Sequence, residues 1–219
     1  MSKRQIIKDK RKKRARVNRI LTILAILVVV GLIATFFILN GQRTLPTRTI
    51  VDGLTAGDPN APIKVVEYAD FQCVACENAF IDLEPELVRK YINTGKVFFT
   101  YEPFSFLGPE SFRAAEAAYC AADQNKFWEY HDLLFENWAG ENQGAFRDSN
   151  LFKFAAKIDF DQTMFKECFD SGKYVQKVLD KREEGAALGI NRTPTYLVNG
   201  QDVPANQLLD VLASLTSGQ

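Results

Sequence analysis

Traced by where apolar side chains recur, the chain separates into unlike stretches. The first apolar stretch is unbroken: "ILTILAILVVVGLIATFFIL", Ile20 to Leu39, is twenty residues without a charge. At about 1.5 Å per residue, such a helix is about 30 Å long, the thickness of a bilayer's hydrocarbon core. One transmembrane helix is expected over 20–39. A cleaved signal peptide has a shorter apolar region and a small-x-small site after it, whereas Phe36, Phe37, Ile38 and Leu39 close this run. The expectation is therefore an uncleaved anchor. Residues 40–62 are polar, rich in Gly, Pro and Thr, and without a sustained apolar period, which predicts a tether over 40–56 that holds at most a short strand at 49–51. The folded part is expected to start near Gly57.

From there the pattern alternates in type. "IKVVEYA" (Ile63 to Ala69) is a short β-branched and aromatic run, the mark of a buried strand. The next segment places Phe80, Leu83, Leu87, Val88, Tyr91 and Ile92 at helical spacing and stops at Gly95. Pro85 is expected to kink that helix, because it lacks a backbone donor and crowds the preceding turn. "KVFFTY" (Lys96 to Tyr101) then predicts a second strand, parallel to the first. Some 75 residues of helical spacing follow, punctuated by Gly, Asn and Asp. Strand character returns at "TYLVNGQDV", where Asn199-Gly200 is a hairpin signal, and "ANQLLDVLASL" closes as an amphipathic helix. A β-α-β half over 57–108, a helical insert over 109–185 and a β-β-α half over 186–219 make the layout of an α/β thioredoxin fold interrupted by a helical domain.

Charge changes the picture of the N-terminus. The formal net charge is zero, yet residues 1–19 hold ten Lys/Arg and one acid. The remainder carries 17 of the 27 basic and 26 of the 27 acidic side chains. A basic arm before an apolar span, with only Arg43 and Arg48 shortly after it, predicts a cytoplasmic N-terminus by the positive-inside rule. The acidic body is then extracytoplasmic, where disulfides persist. Because topogenic charge accounts for the arm, no nucleic-acid partner is expected, and contact with anionic lipid is secondary.

The chemistry centres on "DFQCVACENAF". Cys73 and Cys76 leave a buried strand and open a helix, whose N-terminal N-H groups and partial positive charge stabilise a thiolate on the first cysteine. The second, one turn in, is placed to attack a mixed disulfide. Zinc needs four ligands, and the remaining candidates, Cys120, Cys168 and the single histidine, His131, form no second ligand pair. No metal or cofactor is expected. A purely structural Cys73-Cys76 staple is disfavoured, since so small a loop restrains the unfolded chain little.

Glu67, six residues before Cys73, reads two ways: a buried carboxylate relaying protons to Cys76, or an edge-strand residue facing water. Thr193-Pro194 enters a strand where proline cannot donate, which implies an edge, a bulge or a cis bond. Its bland alternative is an ordinary turn. Cys120 and Cys168 lie on two predicted helices of the insert. They are left either to pair, contributing roughly 4 kcal/mol by chain entropy, or to remain buried thiols. Phe127, Trp128, Tyr130, Phe135 and Trp138 have the spacing of a helical core, with His131 a packing or surface residue among them.

Taken together, "VVEYADFQCVAC", "LGPESFRAAEAAYCA", "KFWEYHDLLFEN" and "RTPTYLVNG", in this order, resemble the DsbA-like thiol:disulfide oxidoreductases of bacteria, in particular the membrane-anchored branch. The likeness covers about residues 57–215. It implies a nucleophilic Cys73, a resolving Cys76, a relay role for Glu67, and a cis Thr193-Pro194 facing the cysteines, with Thr193 offering backbone hydrogen bonds to an extended substrate. It also implies a Cys120-Cys168 disulfide. The substrates would be thiols of exported proteins, and the reoxidant a quinone-linked membrane partner of the DsbB or vitamin K epoxide reductase type. Two departures stand out. Val74-Ala75 replaces the Pro-His or Pro-Ser common between the cysteines, and Arg192 stands where relatives often have Gly, which predicts added positive charge near the thiolate. An oxidase is the first expectation, a reductase or isomerase the second, and a non-catalytic metal-holding or docking module the third.

Overall fold

The computed structural model describes residues 46–217, together with 18, 19, 21–24, 26–32 and 35. Residues up to Leu45 form one unit and Pro46 onward a second. In the first, the described residues are helical. Among the described residues no helix is long and apolar enough to cross a membrane. Positions 20, 25, 33, 34 and 36–39 of the expected span lie outside them, as do the arm up to residue 17 and the tether over 40–45.

The second unit is built on a six-stranded sheet. Its strands are β1 (Val51–Asp52), β2 (Thr55–Ala56), β3 (Ile63–Ala69), β4 (Val97–Pro103), β5 (Thr195–Val198) and β6 (Gln201–Val203), in the order β1-β2-β4-β3-β5-β6. Only β3 and β4 are parallel, with Glu67 opposite Tyr101, and β5 runs antiparallel to β3 with Tyr196 opposite Glu67. The period of two is explicit in β3: Ile63, Val65, Glu67 and Ala69 are buried, while Lys64 is exposed and Val66 and Tyr68 are half-buried. The folded unit thus begins at Pro46 rather than near Gly57, and part of the expected tether pairs into the sheet as the β1-β2 hairpin. Gly57 is needed just after it: its φ is +98°, and a Cβ there would lie 2.4 Å from the Val97 carbonyl oxygen.

Between β3 and β4 the chain forms α1 (Val74–Asp82) and then α2 (Glu84–Leu87), which continues as a turn of π-helix over Val88–Ile92. The expected kink at Pro85 is a break at Leu83. Pro85 sits in the first turn of α2, where its missing N-H removes no intrahelical bond.

The insert comprises α3 (Pro109–Ala122), α4 (Phe127–Glu136), α5 (Asp148–Ala155), α6 (Gln162–Asp170) and α7 (Val175–Ala187), and α8 (Leu208–Thr216) closes the chain. α3 buries Ala114, Ala115, Ala117, Ala118 and Ala121, short side chains that let neighbouring helices approach closely. Cys120 on α3 and Cys168 on α6 form a disulfide, with their Cα atoms 5.8 Å apart. α6 is capped by Asp161, whose carboxylate accepts from the N-H groups of Thr163 and Met164. α1 and α4 cover the sheet face that carries Glu67 and Tyr101: the His131 ring lies 4.7 Å from that of Tyr101 and 5.8 Å from that of Phe80. α7 meets the other face, where Lys181 lies 3.5 Å from Glu102.

Candidate active site

The loop from β3 into α1 is held before it reaches the cysteines. Asp70 is fully buried; one carboxylate oxygen accepts from the Gln72 N-H, the other from the N-H groups of Phe106 and Leu107. Gln72, also fully buried, donates to the Ser111 hydroxyl at 2.9 Å, while its carbonyl accepts from the Trp138 indole at 2.8 Å. Asn142 donates its backbone N-H to the Gln72 side chain. The helical insert therefore clamps the loop on which Cys73 sits. Asp70 and Gln72 were not singled out in the sequence, although both lie inside the "ADFQC" that carries the motif. Trp138, expected only as insert core, reaches the carbonyl next to the cysteine.

Cys73 is the residue that caps α1, with extended φ/ψ, and its carbonyl accepts from the N-H groups of Cys76 and Glu77. Both Cys73 and Cys76 are free thiols, the first half-buried and the second buried. The pair is strongly asymmetric. A hydrogen bond from the Cys76 thiol, opposed by burial and assisted by Thr193 and the N-H groups of Cys76 and Ala75, brings Cys73 down from 9.0 to about 6. Burial, together with the neighbouring Cys73, pushes Cys76 well above its ordinary value. One sulfur is poised to be an anion near neutral pH and its neighbour to hold a proton.

The Thr193-Pro194 bond is cis, and the Thr193 carbonyl accepts from Cys73 Sγ at 3.5 Å. The Thr193 hydroxyl is buried with no hydrogen-bond partner among the described residues. Of the readings open for this dipeptide, the structure has the cis bond, beside Cys73.

Glu67 lies on a central strand, between β4 and β5, and is 5% exposed, so it is no edge residue facing water. The Tyr196 hydroxyl donates to its carboxylate at 2.9 Å. Burial, and then the negative charge of Glu84, raise Glu67 from 4.5 to about 8, although the bond from Tyr196 and the charge of Arg48 pull the other way. Glu67 also acts electrostatically on Cys76. A protonated carboxylic acid thus accompanies the buried thiol at neutral pH.

Arg192 departs from expectation. Its Nη2 donates to both Asp202 oxygens, at 2.8 and 2.6 Å, across the β5-β6 hairpin, and both side chains are about half exposed. Asp202 neutralises the charge that was expected beside the thiolate. His131 is a packing residue, 1% exposed among Phe71, Phe80, Tyr101, Trp128 and Phe135. Among the described residues, no group of three or more His, Cys, Asp and Glu gathers as a metal site.

With this geometry established, likeness to known proteins is informative. Residues 49–215 match the family model described as Thioredoxin. The chain is 33% identical over 165 residues to the Na(+)/H(+) antiporter NhaA 1 of Salinispora arenicola, covering 74% of this chain and 24% of the antiporter. It spans under a quarter of the length of the antiporters it matches. Over 186 residues it is 29% identical to the probable disulfide bond formation protein D of Bacillus cereus, covering 81% of this chain and 84% of that protein. The crystal structure of oxidised BdbD from Bacillus subtilis shares the fold, with a TM-score of 0.68 at 24% identity, covering 74% of this chain and 91% of that one.

Proposed function

This chain belongs to the thioredoxin family, as a DsbA-like member, and on that premise we propose that it is a membrane-anchored protein thiol:disulfide oxidoreductase. It acts outside the cytoplasm and introduces disulfides into exported proteins. The observation that carries this reading is the asymmetry of the cysteine pair, a half-buried Cys73 brought down to about 6 beside a buried Cys76 pushed up.

In the oxidised enzyme, a substrate thiolate attacks Cys73 Sγ. The substrate S-S bond to Cys73 forms as the Cys73-Cys76 bond breaks, and Cys76 leaves with the electron pair. Glu67, protonated below about pH 8, supplies the proton that buried sulfur requires. A second substrate thiolate then attacks the substrate sulfur of the mixed disulfide and expels Cys73 as a stabilised thiolate. Two electrons and one substrate disulfide have been exchanged. Thr193, beside Cys73 on the cis-proline loop, receives the extended substrate segment by strand addition. A quinone-linked membrane partner, of the DsbB or vitamin K epoxide reductase type, takes the two electrons and restores the Cys73-Cys76 disulfide. A stabilised thiolate favours the reduced enzyme, which makes the disulfide an oxidant and supports an oxidase over a reductase or isomerase.

Anchoring is supported by the basic arm before the uncharged run 20–39, and by exposed Leu21, Leu24, Leu27 and Val28 on helical residues.

The test is trapping. A Cys76→Ala variant is expected to accumulate mixed disulfides with exported proteins through Cys73, visible on non-reducing gels and absent from Cys73→Ala/Cys76→Ala. Their absence overturns the enzymatic reading in favour of a docking or metal-holding module. Equilibration with glutathione sets the direction: a potential near that of thioredoxin, about −270 mV, refutes the oxidase and leaves a reductase.

A further inference from the structure

A second group of buried charges lies behind the cysteines, and the exchange chemistry above does not use it. Arg48, at the start of the folded unit, is 7% exposed. Its guanidinium pairs with Glu84 on α2 and makes two bonds, at 3.0 and 3.1 Å, to Asp132 on α4. It also lies 4.2 Å from the centroid of the Trp128 ring, and its Nε has no partner among the described residues. Glu84 is 4% exposed. An arginine and a carboxylate this deeply buried are costly to desolvate, and a hydrophobic pair of similar volume commonly stabilises a fold as well or better. Stability alone therefore does not account for the pair.

The neighbourhood indicates a role. Trp128, beneath Arg48, packs against Tyr101 at 6.4 Å, and Tyr101 is the direct ladder neighbour of Glu67. The Tyr101 hydroxyl is buried with no partner among the described residues. The groups that face Glu67 come from every element around it. They are Tyr196 from β5, Tyr101 from β4, Cys76 from α1, Glu84 from α2 and Arg48 from the N-terminal segment, with Asp70 acting on the same Cys76 and Tyr101. From α4, His131 packs on the Tyr101 ring and Asp132 holds Arg48.

We propose that Arg48 and Glu84 are positioning residues for disulfide exchange: this buried ion pair sets the charge around the Glu67 carboxyl and so the pH range over which Glu67 can protonate Cys76. The proposal rests on the exchange reading above. Glu84 opposes ionisation of Glu67, and Arg48 favours it and neutralises Glu84. Neither touches sulfur or substrate; both act through Glu67. The two charges have opposite sign, so their removal acts in opposite directions, which loss of fold alone does not produce.

The experiment measures the rate at which the full-length oxidised chain, in detergent, oxidises a reduced dithiol peptide, from about pH 5 to about pH 10. The wild-type profile is expected to carry an inflection that Glu67→Gln abolishes. Glu84→Gln is expected to move it to lower pH, and Arg48→Met to higher pH, by about one unit each. Arg48→Lys, which retains the charge, is expected to restore the wild-type position. If Arg48→Met does not fold, Glu84→Gln alone decides, since a downward move supports the proposal and none overturns it. Movement of both variants in one direction, or of neither while the wild-type inflection still depends on Glu67, overturns this proposal and leaves the exchange reading intact. A wild type without exchange, or a profile that Glu67→Gln leaves unchanged, overturns the exchange or relay reading and this proposal with it.

Discussion

Glu67 and Cys73 make opposite contributions to stability, and pH separates them. Glu67 in the fold holds a proton up to about pH 8 that an unfolded chain releases near 4.5. Its raised value therefore costs stability as pH rises through that window. Glu67→Gln is expected to stabilise the protein by about 2–4 kcal/mol at pH 8 and to change little at pH 4, as read by urea denaturation across pH. Cys73 runs the other way. Its folded value of about 6 lies below the ordinary 9.0, so the reduced protein gains stability that is complete above pH 9 and lost as pH falls through 6. Cys73→Ser is expected to remove that rise from the reduced protein and leave only the opposite slope of Glu67, and a stability rise between pH 6 and 9 as large as the wild type's refutes the stabilised thiolate. The cysteines and Glu67 were legible because spacing relative to a strand and a helix is written locally. Asp70, Gln72 and Arg48 were not, since nothing adjacent to them in the chain announces burial. Arg192 was misjudged for the same reason: its partner, Asp202, faces it only once the hairpin has formed.

Periodicity located the principal elements, from the β3-helix-β4 unit through the helices of the insert to the hairpin at Asn199-Gly200. Two-residue strands carry too little pattern to be seen, so the β1-β2 hairpin was read as tether. The helix after the cysteines was expected to bend at Pro85, and instead it stops and restarts at Leu83. Within the insert, Cys120 and Cys168 join two helices whose positions are otherwise set by packing. Cys120→Ser/Cys168→Ser is expected to cost about 2–4 kcal/mol of unfolding free energy while exchange through Cys73 persists. Denaturation of both proteins under non-reducing conditions checks this, and equal midpoints at equal slope refute it.

The chain as a whole divides its labour between a basic, apolar N-terminus and an acidic folded body. Fractionation of cells making the full chain is expected to place it in the membrane, with residues 46–219 digested by protease added from outside. Recovery in the soluble fraction, or protection from that protease, refutes the anchored topology. Strand and helix periods and the Cys73-Cys76 spacing were readable in one dimension, because backbone hydrogen bonding responds to neighbours along the chain. The proton inventory of the site was not. The acidity of Glu67 depends on Arg48, Glu84 and Tyr196, and the seating of Cys73 depends on Trp138, Asn142 and Thr193, residues far apart in sequence. Electrostatic and hydrogen-bond energies depend on distance in space, and folding is what sets those distances.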